Sequence, residues 1–189
     1  MKNPTKVITG PNTRWGYVNV WEPKSINGGN PVYSLTLIIP KSDIKTMNKI
    51  YSAIQAAYEA EKNKLADNNG NIPALNEILL PIRDGDIDRY YDPEYANCWF
   101  INATTKFAPY IFDTDHNLIT DHKQVYSGVY GKANVHFYAF HAKERNQRGI
   151  VCCIDSLMKV RDGDSLGQSN SFKTALDEFI EDEKENPNW

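Results

Sequence analysis

The chain has 189 residues, 41% of them hydrophobic and 12% aromatic, and a formal net charge of −3. That is enough for one domain with a real core plus an appendage, but the charge argues against a non-specific duplex binder, which carries a strong basic excess. No stretch approaches the roughly 20 apolar residues that span a bilayer, and residues 1–10 hold no apolar run of the signal-peptide kind. Cys98, Cys152 and Cys153 are an odd count without framework spacing, so reduced thiols and a cytoplasmic setting are expected.

Taken in order, residues 13–21 (TRWGYVNVW) alternate, placing Trp15, Tyr17, Asn19 and Trp21 on one face and Val18 and Val20 on the other. This predicts a half-buried strand. Glu22 to Pro31, with Gly28-Gly29 and two prolines, predicts a turn, and Val32 to Ile39 a second strand in a hairpin with the first. Ser42 is the expected cap of a helix whose apolar stripe is Ile44, Met47, Tyr51, Ile54, Tyr58 and Leu65. Residues 72–95 are loop-like, with three prolines and the acidic turn Asp84-Gly85-Asp86. Cys98 to Phe107 predicts a strand that continues past Pro109 to Phe112, and Asp113 to Lys123 is a polar, hairpin-like connection. Ser127 to His141 is the longest strand expected and Gly149 to Val160 the next, joined by the basic turn Lys143 to Arg148.

Five or six strands with hairpin-like links and one inserted helix predict a mainly β chain, an OB-fold-like antiparallel barrel; a split barrel or a sandwich fits the same pattern. The organisation expected is a domain over 1–164, a linker over 165–176 and a flexible acidic tail over 177–189. That tail holds Asp177, Glu178, Glu181, Asp182, Glu183 and Glu185 against one lysine and ends on Trp189, so the rest of the chain is mildly basic. Acidic arms of this kind serve as interaction tails, and one that lies in a cationic groove competes with other polyanions.

The candidate site follows from strand parity. In 127–141, Val129, Ala133, Val135, Phe137 and Ala139 suit an interior, while Tyr130, Lys132, Asn134, His136, Tyr138 and Phe140 face the other way. Rings beside a cation are what an unpaired nucleic-acid strand requires: bases stack on rings, and Lys or Arg tracks the phosphates. The same reading adds Trp15 and Tyr17 with Arg14 at a strand end, then Lys106, Phe107 and Tyr110, then the mobile cations Lys143, Arg145 and Arg148. A second core under the helix, or a solvated hairpin tip for the basic turn, would account for the same residues. Asp113, Asp115, His116, Asp121 and His122 raise a metal-dependent phosphoesterase as an alternative, but their spacing matches no metal motif and Asp-rich loops with Asn are turn formers. A structural or partner-binding protein using its outer rings as a protein interface is a third reading. No nucleophile or P-loop motif is present, so no enzyme activity, cofactor or metal is expected.

Tyr126-Ser127-Gly128, Arg148-Gly149-Ile150, the run Lys159 to Gly167 and Leu80-Pro81-Ile82-Arg83-Asp84-Gly85-Asp86 resemble, in order and spacing, the bacteriophage single-stranded DNA-binding proteins (the DUF2815-like group) over most of residues 5–167. The resemblance implies an OB-fold, binding of single-stranded DNA without strong sequence preference, and service in phage replication, recombination and repair. The tail is similar to those of bacterial and phage single-strand binders, which recruit replication proteins of phage or host. Those tails end in Phe, whereas here the aromatic is Trp189 and Asn186-Pro187-Asn188 interrupts the acids. Leu176, Phe179 and Ile180 could instead form a docked helix, through which two protomers would exchange tails as a homodimer.

Overall fold

The computed structural model describes residues 3–166; the acidic segment 177–189 and all but the first two residues of the linker lie outside that range. Eight strands are present among the described residues: β1 (Lys6–Ile8), β2 (Arg14–Lys24), β3 (Val32–Pro40), β4 (Ile82–Asp84), β5 (Cys98–Thr105), β6 (Tyr110–Phe112), β7 (Tyr130–Ala142) and β8 (Gln147–Arg161). The helix α1 (Ile44–Glu61) follows β3, and a single turn, α2 (Gly85–Asp88), follows β4. The chain is thus mainly β with one long helix, consistent with an OB-like architecture.

β2 pairs antiparallel with β3, β3 with β5, and β7 with β8, while β5 and β8 run parallel at Ala103↔Cys152. The path returns to its start through one strand pair, Arg14↔Tyr130, extended by Trp15 N–H to the Val129 carbonyl and Gly128 N–H to the Trp15 carbonyl. The interior is filled from alternate positions of these strands, including Leu37, Ile39, Ile101, Val135, Phe137 and Ile154, with Ile50 and Ile54 of α1 against them. Two bonds fasten the helix. Gly10 N–H donates to Thr46 Oγ1 at 2.9 Å, and Ala139 N–H donates to the Glu61 carboxylate at 2.7 Å.

The first expected strand departs from simple alternation. Trp15 is wholly buried and Tyr17 is 58% exposed, although two residues apart on a regular strand share a face. The register moves from Gly16↔Thr36 to Asn19↔Ser34, so three steps on β2 oppose two on β3. Tyr17 takes up the extra residue at φ +44, a bulge that reverses the parity between Trp15 and its exposed neighbour. The inward Trp15 ring fits because position 131 is glycine, where a Cβ would overlap both the indole and the Met158 carbonyl.

The helix also differs in detail. Its cap is Asp43, whose carboxylate accepts from Thr46 N–H at 3.1 Å, and not Ser42. Its buried face runs through Met47, Ile50, Ala53, Ile54 and Ala57, while Ile44 and Tyr51 of the expected stripe are exposed. Small alanines form part of the contact, which a stripe of large residues overlooks. Residues 72–95 contain β4, α2 and two short 3-10 turns, because β4 adds to the edge of β5 at Ile82↔Ile101. The strand expected over 98–112 divides at Pro109 into β5 and β6, and β1 was not foreseen.

Candidate nucleic-acid interface

β7 alternates as its sequence predicts. Ala133, Val135, Phe137 and Ala139 are buried, and Tyr130, Lys132, Asn134, His136, Tyr138 and Phe140 face outward. Yet two of that outward row, Tyr130 and His136, are occupied by the chain itself. Arg161 stacks on Tyr130 with its guanidinium carbon 4.0 Å from the ring centroid, and Arg14 lies 5.4 Å away. His136 Nδ1 is 2.7 Å from Asp155, whose other oxygen meets Lys6 at 2.8 Å. Tyr138 remains 41% exposed, and Lys132 makes no ion pair among the described residues.

Three expected DNA contacts are placed differently from the expectation. Trp15 is sealed in the core, so its ring is not available to a base. Arg14 pairs with Glu94, donates to the Gly128 carbonyl at 3.2 Å and to the Asp164 carbonyl at 2.7 Å, and so serves as an internal tie. Gly128 and Gly163 let the two backbones meet at that point; a Cβ on either would overlap the other segment. The third is Arg148, which is half-buried and donates to His141 Nε2 at 3.2 Å. Lys143 and Arg145 stand exposed on a 3-10 turn closed by Asn146 in the left-handed conformation. Lys106 and Phe107 (81% exposed) lie in the open between β5 and β6, and Tyr110 (66%) begins β6.

The side of the sheet formed by β2, β3 and β5 carries a second cluster of rings and cations. Beneath it, Ile38, Phe100 and Tyr95 form a small second core, on which Leu166 also packs, with Leu166 N–H donating to the Ser127 carbonyl at 2.8 Å. Burial pushes the Tyr95 phenol up to about 12. Above it, the Arg89 guanidinium lies 5.5 Å from the Tyr95 ring, 5.8 Å from Tyr17 and 5.9 Å from Phe100, and donates to the Tyr91 hydroxyl at 3.2 Å. Tyr17, Tyr90 and Tyr91 are 58%, 80% and 65% exposed. Next to them along the pairing, Thr36 Oγ1 donates to Asn102 Oδ1 at 2.8 Å. Arg83 lies over Phe100 at 5.3 Å.

The segment that carries Arg89, Tyr90 and Tyr91 is anchored at its base. Lys41 Nζ bridges Asp84 and Asp86 at 2.6 Å each, and Asp86 accepts from Asn97 N–H at 2.9 Å. Lys41, and then the Asn97 amide, hold the Asp86 carboxyl below the usual carboxylate range. The signal for this cluster was the pair Tyr90-Tyr91 after Arg89 in a stretch read as loop. Periodicity cannot score such a segment, because its rings are set by tertiary packing.

The carboxylates behind the phosphoesterase alternative act as turn acceptors. Asp113 accepts from the N–H groups of Asp115 and Asn117, both at 2.9 Å, and Asp121 accepts from Lys123 N–H at 3.0 Å. The loop at Asp67 has the same frame, accepting from Asn69 and Asn71, with Gly70 at φ +82 where the other has His116 at φ +66. His122 stacks on Trp21 at 4.3 Å. Among the described residues, no three His, Cys, Asp or Glu side chains converge as a metal requires, and no helix is long and apolar enough to cross a membrane.

The family model described as "Enterobacter phage Enc34, ssDNA-binding protein" matches residues 5–188. The chain belongs to that family. Its fold is similar to the solved single-stranded DNA-binding protein from bacteriophage Enc34 in complex with ssDNA, at 23% identity and a TM-score of 0.69, covering 86% of this chain and 90% of that one. A C-terminal truncation of the Enc34 protein gives 22% identity and 0.69 over 86% and 88%. The single-stranded DNA-binding protein gp2.5 of bacteriophage T7 gives 13% and 0.65 over 89% and 93%. At these identities the likeness shows a shared fold. A search of curated proteins finds no match.

Proposed function

We propose that this chain binds single-stranded DNA without sequence preference and protects it during phage replication, and during the recombination and repair that use the same intermediates. The observation that carries this reading is Arg89 held among Tyr17, Tyr91 and Tyr95 on the β2–β3–β5 side, with three tyrosine rings open to solvent. Flat rings around a guanidinium offer stacking to any base and charge to a phosphate, and neither contact reads sequence. We take the ring of pairings β2–β3–β5–β8–β7 as a five-stranded OB-type barrel, in which this is the face that oligonucleotides use. Lys106, Phe107, Tyr110, Lys132, Tyr138, Lys143 and Arg145 supply secondary contacts in this reading. The family membership supports it, since the Enc34 protein is solved with ssDNA.

In the same proposal, the acids of 177–189 and Trp189 recruit replication proteins and compete with DNA for the cationic surface. Leu166, the last described residue, packs beside the small core under Arg89, so the described residues end next to the proposed site.

Anisotropy of labelled oligo-dT, oligo-rU and duplex, titrated with the intact protein at two salt concentrations, tests the reading. Tight oligo-dT binding is expected, with a log–log salt slope of about −0.7 per phosphate neutralised. Absence of oligo-dT binding overturns it. Removing residues 177–189 should leave affinity equal or higher; weaker binding would rule out competition by the tail.

A further inference from the structure

A lysine-lined cleft lies between α1 and the loop that joins β1 to β2. It encloses about 470 Å³, bounded by Gly10 and Pro11 on one side and by Lys45 and Lys49 of α1 on the other, with Lys132 of β7 also in its wall. A second, more apolar hollow of about 220 Å³ lies on the outward side of β7 and β8, formed by Phe112, Asn134, Ser156 and Met158. Ile8 and Lys132 line both, so the two are adjoining compartments of one groove. The larger volume falls in the range of small-ligand sites, about 300–1,000 Å³.

The chemistry of the two compartments is complementary. Phe112, Met158 and the 54%-exposed Ile8 provide a ring, a thioether and a branched chain, surfaces against which a planar base can lie. Asn134 Nδ2 donates to Ser156 Oγ at 3.4 Å, which leaves the amide oxygen and the hydroxyl proton to meet a base edge. Lys45 and Lys49 are four apart and both exposed, so they stand on one side of the helix. Neither they nor Lys132 form an ion pair among the described residues, unlike Lys6, Lys41, Lys62, Lys64 and Lys159. One acid, Asp43, also lines the cleft; its carboxylate is engaged by Thr46 N–H and packs against Gly10.

We infer that this groove is a second nucleotide subsite, which takes a base in the Phe112–Met158 compartment and its flanking phosphates between Lys132, Lys45 and Lys49. It rests on the proposed single-strand binding and extends it: a strand long enough to pass from the Tyr17–Arg89 cluster would be held at two places on the body.

The test compares Lys45→Gln/Lys49→Gln with a control of equal charge change, Lys24→Gln/Lys123→Gln, both in the full chain, using labelled oligo-dT from 6 to 30 nucleotides. All four lysines are exposed, so neither pair should disturb folding. The cleft variant should match wild type on the shortest oligomers and bind the longest ones at least about fivefold more weakly, with a salt slope shallower by about 1.4 for two lost phosphate contacts. The control should keep the wild-type slope. An unchanged slope in the cleft variant, or an equal loss in the control, overturns the subsite. A wild-type protein that binds no oligomer of any length would instead overturn the single-strand reading itself.

Discussion

The outward side of β7 and the outward side of β2, β3 and β5 are furnished with the same kinds of residue, aromatic rings and cations, but differ in what those residues touch. On β7, Tyr130 is covered by Arg161 and His136 is tied to Asp155. On the other side Arg89 is held by rings and the Tyr91 hydroxyl, with no ion pair among the described residues, and three tyrosines around it are open. Residue type therefore does not make a binding surface. What matters is how much ring surface is left open to solvent: three tyrosines around Arg89, against Tyr138 on β7.

The largest effect expected from this contrast separates two neighbours on one strand. Trp15→Ala should destabilise the protein by about 3–5 kcal/mol in urea unfolding, as for other buried rings, while Tyr17→Ala should leave the midpoint nearly unchanged. Equal stability losses in the two variants would break the distinction between them. Next in size, Tyr17→Ala should weaken oligo-dT binding by about 1–3 kcal/mol, the usual worth of one stacked base. Tyr138→Ala on β7 should change it by much less, and the reverse order in the same anisotropy assay would move the site to β7.

A smaller effect concerns pH. Lys41 holds the Asp86 carboxyl below its ordinary range, so this contribution is present above the usual carboxylate value, about 3.9, and is lost as pH falls through the lower folded value. The stability advantage of wild type over Asp86→Asn should be steady at neutral pH and shrink in acid below about pH 4. A constant advantage down to pH 2.5, followed by thermal melting, would show that the anchor of the 84–97 segment lies elsewhere. The smallest concerns His116, whose left-handed backbone corresponds to Gly70 in the matching loop. His116→Gly should be neutral or stabilising by up to about 1 kcal/mol, with DNA affinity unchanged. A loss of DNA binding would give that histidine a role beyond the turn.

The sequence disclosed β7 accurately because a strand of thirteen residues, buried on alternate positions, prints its geometry as alternation. It disclosed the hairpin of β2 and β3 and the existence of α1 for similar reasons. It grouped Trp15 with Tyr17 because the bulged residue between Gly16 and Asn19 reverses the faces on its two sides, and nothing in TRWGYVNVW marks Tyr17 as that residue. It also passed over Arg89, Tyr90 and Tyr91. Their positions depend on β4 adding to β5 and on Lys41 bridging two aspartates across the chain, both of which are long-range contacts. The glycine-bearing motifs that carry the family resemblance have a visible structural reason at Gly128 and Gly163, where two backbones meet under the Arg14 side chain.

The bulge at Tyr17 has an effect on assembly of the sheet as well as on its surface. A hairpin of uninterrupted alternation can slide by two residues and still present apolar side chains inward. With the supernumerary residue at Tyr17, a sliding step would bring Trp15 away from the space above Gly131 and carry the bulge to a position with no matching gap. The irregularity therefore acts as a detent that admits a single alignment of the two strands.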